Sequence, residues 1–399
     1  MTAETASPAE GLQLLAGTRV VSIEQYISAP YCTQILTEAG ADVIKVERPV
    51  TGEPRRGYDP IRAIGDETVS GGFASYNRGK RSIALDLNDP EDRGRLRALI
   101  SDADVLVSNL RPGALTRLGL DPCELRTRYP SLIICEISGF GVNGGPDAPL
   151  TAFDSVIQAM SGLTSMLGAH RTDSPLLAPM STMDLLTGIW AALGIALALT
   201  QRARTGDGAH IDAAMLDAGV ALLERPLVLH EFTGEVPTRG ADAYSPVGTF
   251  RAADGRWLSI VIPTDDMWER CCHAIDRPDL HTDPRLTTVL QRAERMNDVI
   301  LPALQQWASI RALTANEAAQ LLREKGQPVG IVQSIADVRA SEHLAHREMF
   351  VPLEYTDPDG TTHASSTLLP RLPLLFDGRR SHPGPVPSLD EFTDTAHTE

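Results

Sequence analysis

The stretch AGADVIKVERP, at residues 39–49, constrains the fold of the N-terminal half more than any other segment. Its apolar run from Val43 to Val46 ends at an acid, Glu47, which is the pattern of the second strand of a dinucleotide-binding fold. In that fold the acid holds a ribose hydroxyl, and a glycine-rich turn lies about 20 residues upstream. The turn found upstream, EQYISAP at residues 24–30, contains no glycine. The pattern therefore predicts a sheet of this type and disfavours a nicotinamide cofactor.

Short apolar runs alternate with helical segments between residues 17 and 141. Pro30 and Pro90 are typical of the first turns of two of these helices, and Asp89 is a suitable cap for the second. Strands connected by helices form a mostly parallel sheet that is covered on both faces, so we predict an α/β, Rossmann-like large domain. From about residue 226 the pattern changes to a hairpin and then several helices, which predicts a smaller α+β domain.

Composition narrows the classes of function. The five cysteines show no metal-type spacing, which favours reduced thiols in a cytoplasmic protein and disfavours a metal site. Residues 1–11 lack the basic and apolar regions of a signal peptide. The apolar stretch at 185–199 is shorter than the roughly 20 residues of a membrane span, and two glycines interrupt it, so we expect a buried helix.

Charge bears on the partners. The net charge of −16 disfavours nucleic acid and anionic membranes. Residues 45–117, in contrast, carry 13 Lys and Arg against 11 Asp and Glu. A phosphorylated ligand is therefore expected on this part of the chain, although a solvated mixture of charges would give the same balance.

Ten segments, in order over roughly residues 15–375, resemble the family III CoA-transferases, also called the CaiB/BaiF family. Among them are NRGKRSIALDL at 77–87, ADVLVSNLRPGALTRLGL at 103–120, ISGFGVNGGP at 137–146 and RTGDGAHIDAAML at 204–216. The resemblance implies that coenzyme A binds as a co-substrate, without a glycine-rich turn, and that two copies form an interlocked, ring-like homodimer. It implies three ranges: 1–225 as the N-terminal part of the large CoA-binding domain, 226–325 as the small domain, and 326–399 as a return segment and tail.

The resemblance also implies the chemistry, which is transfer of CoA from an acyl-CoA donor to a carboxylic acid acceptor, with Asp184 as the nucleophile. A carboxylate that attacks a thioester gives a mixed anhydride and then an aspartyl-CoA thioester, so each step exchanges one activated acyl bond for another. Asp184 lies at the predicted start of the apolar helix, where the helix dipole favours an anion and free amides could hold an oxyanion. Without the resemblance, the same position suits a capping aspartate with no chemistry. The sequence does not specify the donor or the acceptor.

Eleven positions match CoA contacts of the family. They are Tyr26, Ile27, Ser28, Arg48, Leu85, Asn109, Leu110, Arg117, Ser138, Gly139 and Met215. Arginine suits phosphate because its guanidinium is planar and always charged, so Arg48 is expected at the adenosine phosphates, although surface charge is the alternative. For the apolar members, packing in the core is an equal alternative.

Related enzymes of this fold offer a second reading, as acyl-CoA racemases or isomerases. Those enzymes carry a histidine where this chain has Phe153, and a phenyl ring cannot carry a proton, so racemisation is disfavoured. A nicotinamide-dependent oxidoreductase and a non-catalytic CoA-binding scaffold are further alternatives. Formyl-CoA:oxalate transferases carry a glutamine at the position of Ile27 and a glycine run where this chain reads TRGADAYSPVG, so oxalate is disfavoured as the acceptor.

Overall fold

The computed structural model describes residues 11–64, 67–168, 174–237, 239–240, 245–356 and 361–392, so part of TRGADAYSPVG lies outside the described residues. The strands are β1 Arg19–Ile23, β2 Asp42–Glu47, β3 Ile61–Ile64, β4 Glu67–Ser70, β5 Arg81–Ala84, β6 Val105–Ser108, β7 Ile133–Ser138, β8 His210–Ala214, β9 Val247–Arg251, β10 Trp257–Val261, β11 Val329–Ile331, β12 Phe350–Thr356 and β13 Thr362–Pro370. The α-helices are α1 Ser28–Glu38, α2 Gly71–Asn77, α3 Pro90–Ser101, α4 Ala114–Arg117, α5 Pro122–Arg128, α6 Asp154–Met160, α7 Leu163–Met166, α8 Thr182–Thr205, α9 Met215–Leu222, α10 Glu224–Thr233, α11 Asp265–Ala274, α12 Pro278–His281, α13 Val289–Glu294, α14 Leu301–Ile310, α15 Ala315–Glu324, α16 Ile335–Arg339 and α17 Glu342–His346.

Six strands form a wholly parallel sheet in the order β5-β2-β1-β6-β7-β8. Counted along the chain within this sheet, the order is the 3-2-1-4-5-6 of dinucleotide-binding folds. One apolar cluster joins the sheet to α1 and α8, and a second joins its other face to α3, α4 and α5. Neighbouring residues such as Val20 and Val21 serve opposite faces, which is why the strands are apolar throughout. The predicted α/β fold with a parallel sheet is confirmed.

The described residues divide into two compact units. The first contains residues 11–162, 178–222 and 343–392, and the second contains 163–177 and 223–342. In the second unit β9, β10 and β11 form an antiparallel sheet that packs with helices around Trp268 and Leu304. The predicted hairpin is present as β9 and β10, which turn at Gly255, and a capping box of Thr314 and Glu317 opens α15. The three predicted domain ranges and the interlocked dimer stay predictions.

Helix α8 lies close against α1 because Gly188 has no side chain. A Cβ at this position would lie 2.7 Å from the Ser28 carbonyl oxygen and 3.2 Å from Cδ1 of Tyr31. Helix α1 begins at Ser28, two residues before the proline that was predicted to open it. The approach therefore brings the first turn of α8, which carries Asp184, beside the first turn of α1.

Helix α8 is buried on one face only, which corrects the prediction of a buried helix. Ala191 and Ile195 pack in the core under the sheet, whereas Trp190, Leu193 and Leu197 are exposed. Among the described helices, α8 alone is long and apolar enough to cross a membrane, but 39% of its apolar window is buried inside the protein. Packing of this kind is typical of a core helix that also presents an apolar surface.

A buried network of charges lies beneath the turn that follows β1. The carboxylate of Glu24 accepts hydrogen bonds from Nζ of Lys80 at 2.8 Å, from Nζ of Lys45 at 3.4 Å and from Oγ1 of Thr33 at 2.8 Å. Burial alone would raise the pKa of Glu24, but the two ammonium groups outweigh burial and lower it. Nζ of Lys45 also reaches the carboxylate of Glu53 at 3.4 Å. The network thereby ties the ends of β1 and β2 together.

Replacement of Glu24 tests this network. We predict that Glu24→Gln lowers the free energy of unfolding by about 3–5 kcal/mol, because it leaves two buried ammonium groups short of a counter-charge. Urea denaturation followed by circular dichroism measures the loss. Asp102→Asn is the control, because this carboxylate is 54% exposed and lies 3.7 Å from Arg19, so its loss costs less than about 1 kcal/mol. Equal losses in the two variants would contradict the prediction.

Candidate active site

Most of the site residues predicted from the sequence lie where the parallel strands end. Those at or just after the carboxyl ends are Tyr26, Ile27 and Ser28 after β1, Arg48 after β2, Leu85 after β5, Asn109 and Leu110 after β6, Ser138 and Gly139 at β7, and Met215 after β8. In open parallel sheets, ligands bind at this edge, at the point where the strand order reverses. The reversal point lies between β1 and β6.

Asn109 connects the two strands at the reversal point. Its Oδ1 accepts the N–H of Gln25 at 2.9 Å, and its Nδ2 donates to the carbonyl oxygen of Gln25 at 2.7 Å. Nδ2 also reaches Oγ of Ser28 at 3.4 Å. The turn after β1 is therefore fixed to the end of β6, and the Ser28 hydroxyl is oriented from one side.

A cavity of about 470 Å³ opens at the same edge, between the ends of β1, β2, β5 and β6. Three of the predicted residues line it: Arg48, Leu85 and Leu110. Arg48 is exposed, whereas Leu85 is buried and also packs in the core. The two readings of Leu85, core packing and contact with a ligand, are thus compatible.

Glu47 explains why the dinucleotide pattern misleads. Its carboxylate accepts two hydrogen bonds of 2.7 Å from Arg56, one of 2.7 Å from Oγ of Ser82 and one of 2.9 Å from the N–H of Glu53. Burial would raise the pKa of Glu47, but Arg56 together with Lys45 and Ser82 lowers it to about 2. Because these partners already occupy both carboxylate oxygens, Glu47 cannot serve as a free acceptor for ribose.

Asp184 lies in the first turn of α8 and is half-buried. Burial raises its pKa and the negative charge of Asp154 raises it further, while Arg55 and a hydrogen bond with the Ser28 side chain oppose both effects; the resulting pKa is about 7. Asp154 also occupies the start of the helix, since its Oδ1 accepts the N–H groups of Met183 at 2.6 Å and of Asp184 at 3.2 Å. Asp154 therefore binds these two amides, which were expected to be free for an oxyanion. Burial and the charge of Asp154 outweigh the predicted stabilisation of the Asp184 anion by the helix start.

Two aromatic side chains, Tyr26 and Phe153, lie in the segments that lead into α1 and α6. Tyr26 has a left-handed backbone, with φ of 64°, and its N–H donates to Glu53 at 3.1 Å. Such a conformation is strained for a non-glycine residue and persists only where the surroundings fix it. The Tyr26 ring meets Phe153 edge-on, with 6.1 Å between centroids, and Phe153 is 58% exposed. Ile27, the next residue, is buried at the start of α1.

The remaining predicted residues are less closely connected with Asp184. A Cβ on Gly139 would lie 2.1 Å from Cβ of Ala152, so the segment before α6 presses directly on the end of β7. Oγ of Ser138 accepts the N–H of Gly141 at 2.9 Å, which closes the following turn. Met215 is buried at the start of α9, as core packing requires. Arg117 is exposed at the end of α4.

Sequence reasoning missed Arg55 and Tyr76. Arg55 lies in a 3₁₀ turn at Pro54–Gly57, with its guanidinium 5.4 Å from the ring centroid of Tyr76. Burial raises the pKa of Tyr76, Arg55 lowers it and Asp184 raises it, so the three groups interact electrically. Nothing in the segment PRRGYDP points to a distant aspartate, so no sequence signal could have identified them.

Two alternative chemistries receive no support from the described residues. All five cysteines are free, and burial raises the pKa of the Cys32 thiol well above its ordinary value, which makes it a poor nucleophile. In the described part of the chain, no three His, Cys, Asp or Glu side chains converge as a metal site would require.

Comparison with known proteins identifies the family of the chain. A family model for CoA-transferase family III matches residues 15–391. The chain is 33% identical over 396 residues to acetyl-CoA:oxalate CoA-transferase of Acetobacter aceti, covering 96% of this chain and 95% of that one. It is 35% identical over 387 residues to succinyl-CoA:mesaconate CoA-transferase of Haloarcula hispanica, covering 94% and 93%.

A solved structure gives the same result. The crystal structure of a CaiB/BaiF family protein from Brucella suis superposes with a TM-score of 0.80 at 29% identity, covering 96% of this chain and 97% of that one. The family model and these relatives match nearly the whole chain, so the chain belongs to CoA-transferase family III.

Proposed function

We propose that the protein transfers coenzyme A from an acyl-CoA to a free carboxylic acid through covalent intermediates on Asp184. The observation that carries the proposal is the position of this half-buried carboxylate, in the first turn of a helix that packs against Ser28 next to the point where the strand order reverses. Ligands of open parallel sheets bind at that point. A carboxylate at the edge of the site can thus reach the thioester end of a bound acyl-CoA.

The chemistry requires one carboxylate and no proton. An oxygen of Asp184 attacks the thioester carbonyl, the C–S bond breaks, and CoA leaves as a thiolate. The thiolate attacks the side-chain carbonyl carbon of Asp184 in the mixed anhydride, and the first acid leaves as a carboxylate. The acceptor carboxylate then attacks the aspartyl-CoA thioester and the two steps run in reverse.

The remaining predicted residues provide the CoA site of this proposal. The apolar side chains of Leu85 and Leu110, with Arg48 at the rim, give the cavity a lining that suits an adenine ring beside a phosphate. Tyr26, Ile27, Ser28 and Asn109 are proposed to follow the pantetheine arm toward Asp184. Arg117 is proposed at a phosphate, and Ser138, Gly139 and Met215 on the far side of the thioester.

The two relatives described above support a proposal for the substrate class. Oxalate and mesaconate are small acids with two carboxylates, and the named donors are acetyl-CoA and succinyl-CoA. We propose a small dicarboxylic acid as acceptor, and the substitution at Ile27 keeps oxalate the less favoured member of this class. The racemase alternative is not proposed, since Phe153 carries no proton and Asp154 is occupied at the start of α8.

The protein is proposed to act as a cytoplasmic homodimer. The face of α8 that carries Ile189, Trp190, Leu193 and Leu197 is exposed in a single chain. Large apolar patches on a soluble protein are typical of interaction surfaces. A second copy of the chain is the occupant that the family resemblance favours.

Replacement of Asp184 tests the nucleophile. We predict that wild-type protein incubated with acetyl-CoA or succinyl-CoA carries CoA on the peptide that contains Asp184, detected by mass spectrometry. Asp184→Ala and Asp184→Asn lose the adduct, and transfer falls by about 10³-fold or more. Asp207→Asn, an exposed carboxylate that follows α8, is the control and retains both. An adduct on another residue, or transfer by Asp184→Asn at the wild-type rate, would contradict the proposal.

The pH dependence follows from the pKa of Asp184. Below a pH of about 7 this carboxyl group is protonated and cannot attack, so kcat/KM for acyl-CoA is expected to rise as the pH increases through 7. Asp154→Asn keeps an oxygen for the helix amides but removes the negative charge that raises the pKa of Asp184. The rise should therefore move to lower pH in this variant. A rise that stays in place, or moves upward, would show that Asp154 does not control the nucleophile.

The exposed face of α8 predicts the oligomeric state. Light scattering should give the mass of a dimer for the wild-type protein, because burial of this face removes apolar surface from water. Leu197→Asp places a charge where the side chain is 62% exposed in one chain, and should shift the mass toward a monomer. Ile310→Asp, at a separate apolar position that is 75% exposed, is the matched control. A monomeric wild-type protein would contradict the proposed dimer.

A further inference from the structure

Arg55 has a positive charge that no described carboxylate neutralises by direct pairing. Its Nε donates to the carbonyl oxygen of Gly72 at 2.9 Å, and its guanidinium lies 5.8 Å from the Tyr58 ring centroid. Within the described ranges, no ion pair involves Arg55. The adjacent Arg56 differs, since its guanidinium donates to the Glu47 carboxylate through Nε and Nη2 and to the Pro387 carbonyl oxygen through Nη1. The two neighbouring arginines therefore have different roles, one structural and one available to a ligand.

A chain of contacts places Arg55 near the nucleophile. Its guanidinium lies over Tyr76, the Tyr76 ring meets Tyr31 with 6.0 Å between centroids, and Tyr31 packs against Gly188, one helical turn after Asp184. A Cβ on Gly72 would lie 2.9 Å from Nη2 of Arg55, so the guanidinium rests directly on this glycine. The arginine is thus held in place, beyond ion-pairing distance of Asp184 but close enough to act on its charge.

The charge on Asp184 changes during the proposed reaction. In the free enzyme Asp184 is a carboxylate, and Arg55 stabilises it. Asp184 first attacks the acyl-CoA, and the CoA thiolate leaves. The thiolate then returns to the side-chain carbonyl carbon, and the first acid leaves. Asp184 is now a neutral thioester. No proton or electron is gained or lost in these steps. Arg55 then faces a neutral group, and its charge becomes available to an incoming anion.

We propose that Arg55 is an acceptor-binding residue, whose counter-charge alternates between the Asp184 carboxylate in the free enzyme and the carboxylate of the acceptor acid in the aspartyl-CoA intermediate. This inference rests on the proposed function. A guanidinium suits the role because it binds carboxylates with parallel hydrogen bonds and stays charged at every working pH. The same side chain thereby favours acyl-CoA first and the acid second, which orders the two halves of the reaction.

Separate measurement of the two halves tests the inference. The adduct is formed with succinyl-CoA, or with acetyl-CoA if that is the better donor, and freed of small molecules by gel filtration. The matching acid, succinate or acetate, is then added; because it is the acid released from the same donor, it must also act as an acceptor. At pH 8.5, which is above the pKa of about 7 of Asp184 in the wild-type protein, Arg55→Gln should form the adduct as the wild-type protein does. The concentration of acid that half-saturates adduct consumption should rise about 10- to 100-fold, the usual range for the loss of a charge-assisted contact.

Two further variants make the result specific. Arg55→Lys keeps the positive charge but loses the parallel N–H groups of the guanidinium. Its half-saturating acid concentration should therefore lie between those of the wild-type protein and Arg55→Gln. Arg95→Gln, on the exposed face of α3, should match the wild-type protein. Consumption of the Arg55→Gln adduct at wild-type acid concentrations would overturn the inference and leave the proposed function intact. Absence of any adduct in the wild-type protein would overturn the proposed function itself. If Arg55→Gln fails to fold, the Arg55→Lys shift alone decides, and no shift refutes the role.

Discussion

The approach of α8 to α1 at Gly188 is the contact on which the site depends. It is short because the glycine presents only a hydrogen to the Ser28 carbonyl oxygen. A larger residue would push the two helices apart and move Asp184 away from the strand ends. Asp184, the proposed nucleophile, lies on a long helix and not on a strand or the loop after one, so its position is set by helix packing. Small residues along this face of α8, such as Ala191 and Ala192, maintain the approach beyond the first turn.

Buried charge gives the strand edge its rigidity. Glu24, Lys45, Lys80 and Glu53 are removed from water beneath the turn after β1, and Glu47 with Arg56 lies beside them. Buried ion pairs contribute little net stability, because desolvation offsets most of their attraction. Their geometric demands, however, fix where each backbone segment lies. The strained backbone of Tyr26 is one result, since a carboxylate of this network holds its amide. Glu47, the acid that resembles a ribose-binding residue in the sequence, is likewise a structural residue, because its carboxylate is bound by Arg56.

Local patterns predicted the sheet and much of the site's location, because both follow from rules that act over short distances. Apolar runs identified β1, β2, β6 and β7, and Asp89 with Pro90 marked the start of α3. The family resemblance then assigned residues that the sheet places at one edge. The hairpins β3–β4 and β12–β13 were missed, because their strands are partly exposed and their sequences do not alternate clearly between apolar and polar residues. Arg55 and Tyr76 were missed for a different reason. Their relation to Asp184 exists only after α2, the 3₁₀ turn and α8 have packed together.

The raised pKa of Asp184 has a consequence for the energy of the native state. Near pH 4 the Asp184 carboxyl group of an unfolded chain begins to release its proton, whereas the native protein still holds that proton. The contribution of Asp184 to native stability therefore falls as the pH rises from about 4 to about 7, and it stays lower above pH 7. At neutral pH the resting enzyme bears an anion that its own interior disfavours. In the proposed reaction, formation of the aspartyl-CoA thioester removes that anion, so the covalent state lacks the unfavourable electrostatic energy of the free enzyme. Under the proposed mechanism, the unfavourable burial of the Asp184 anion in the free enzyme contributes to the driving force of the first half-reaction.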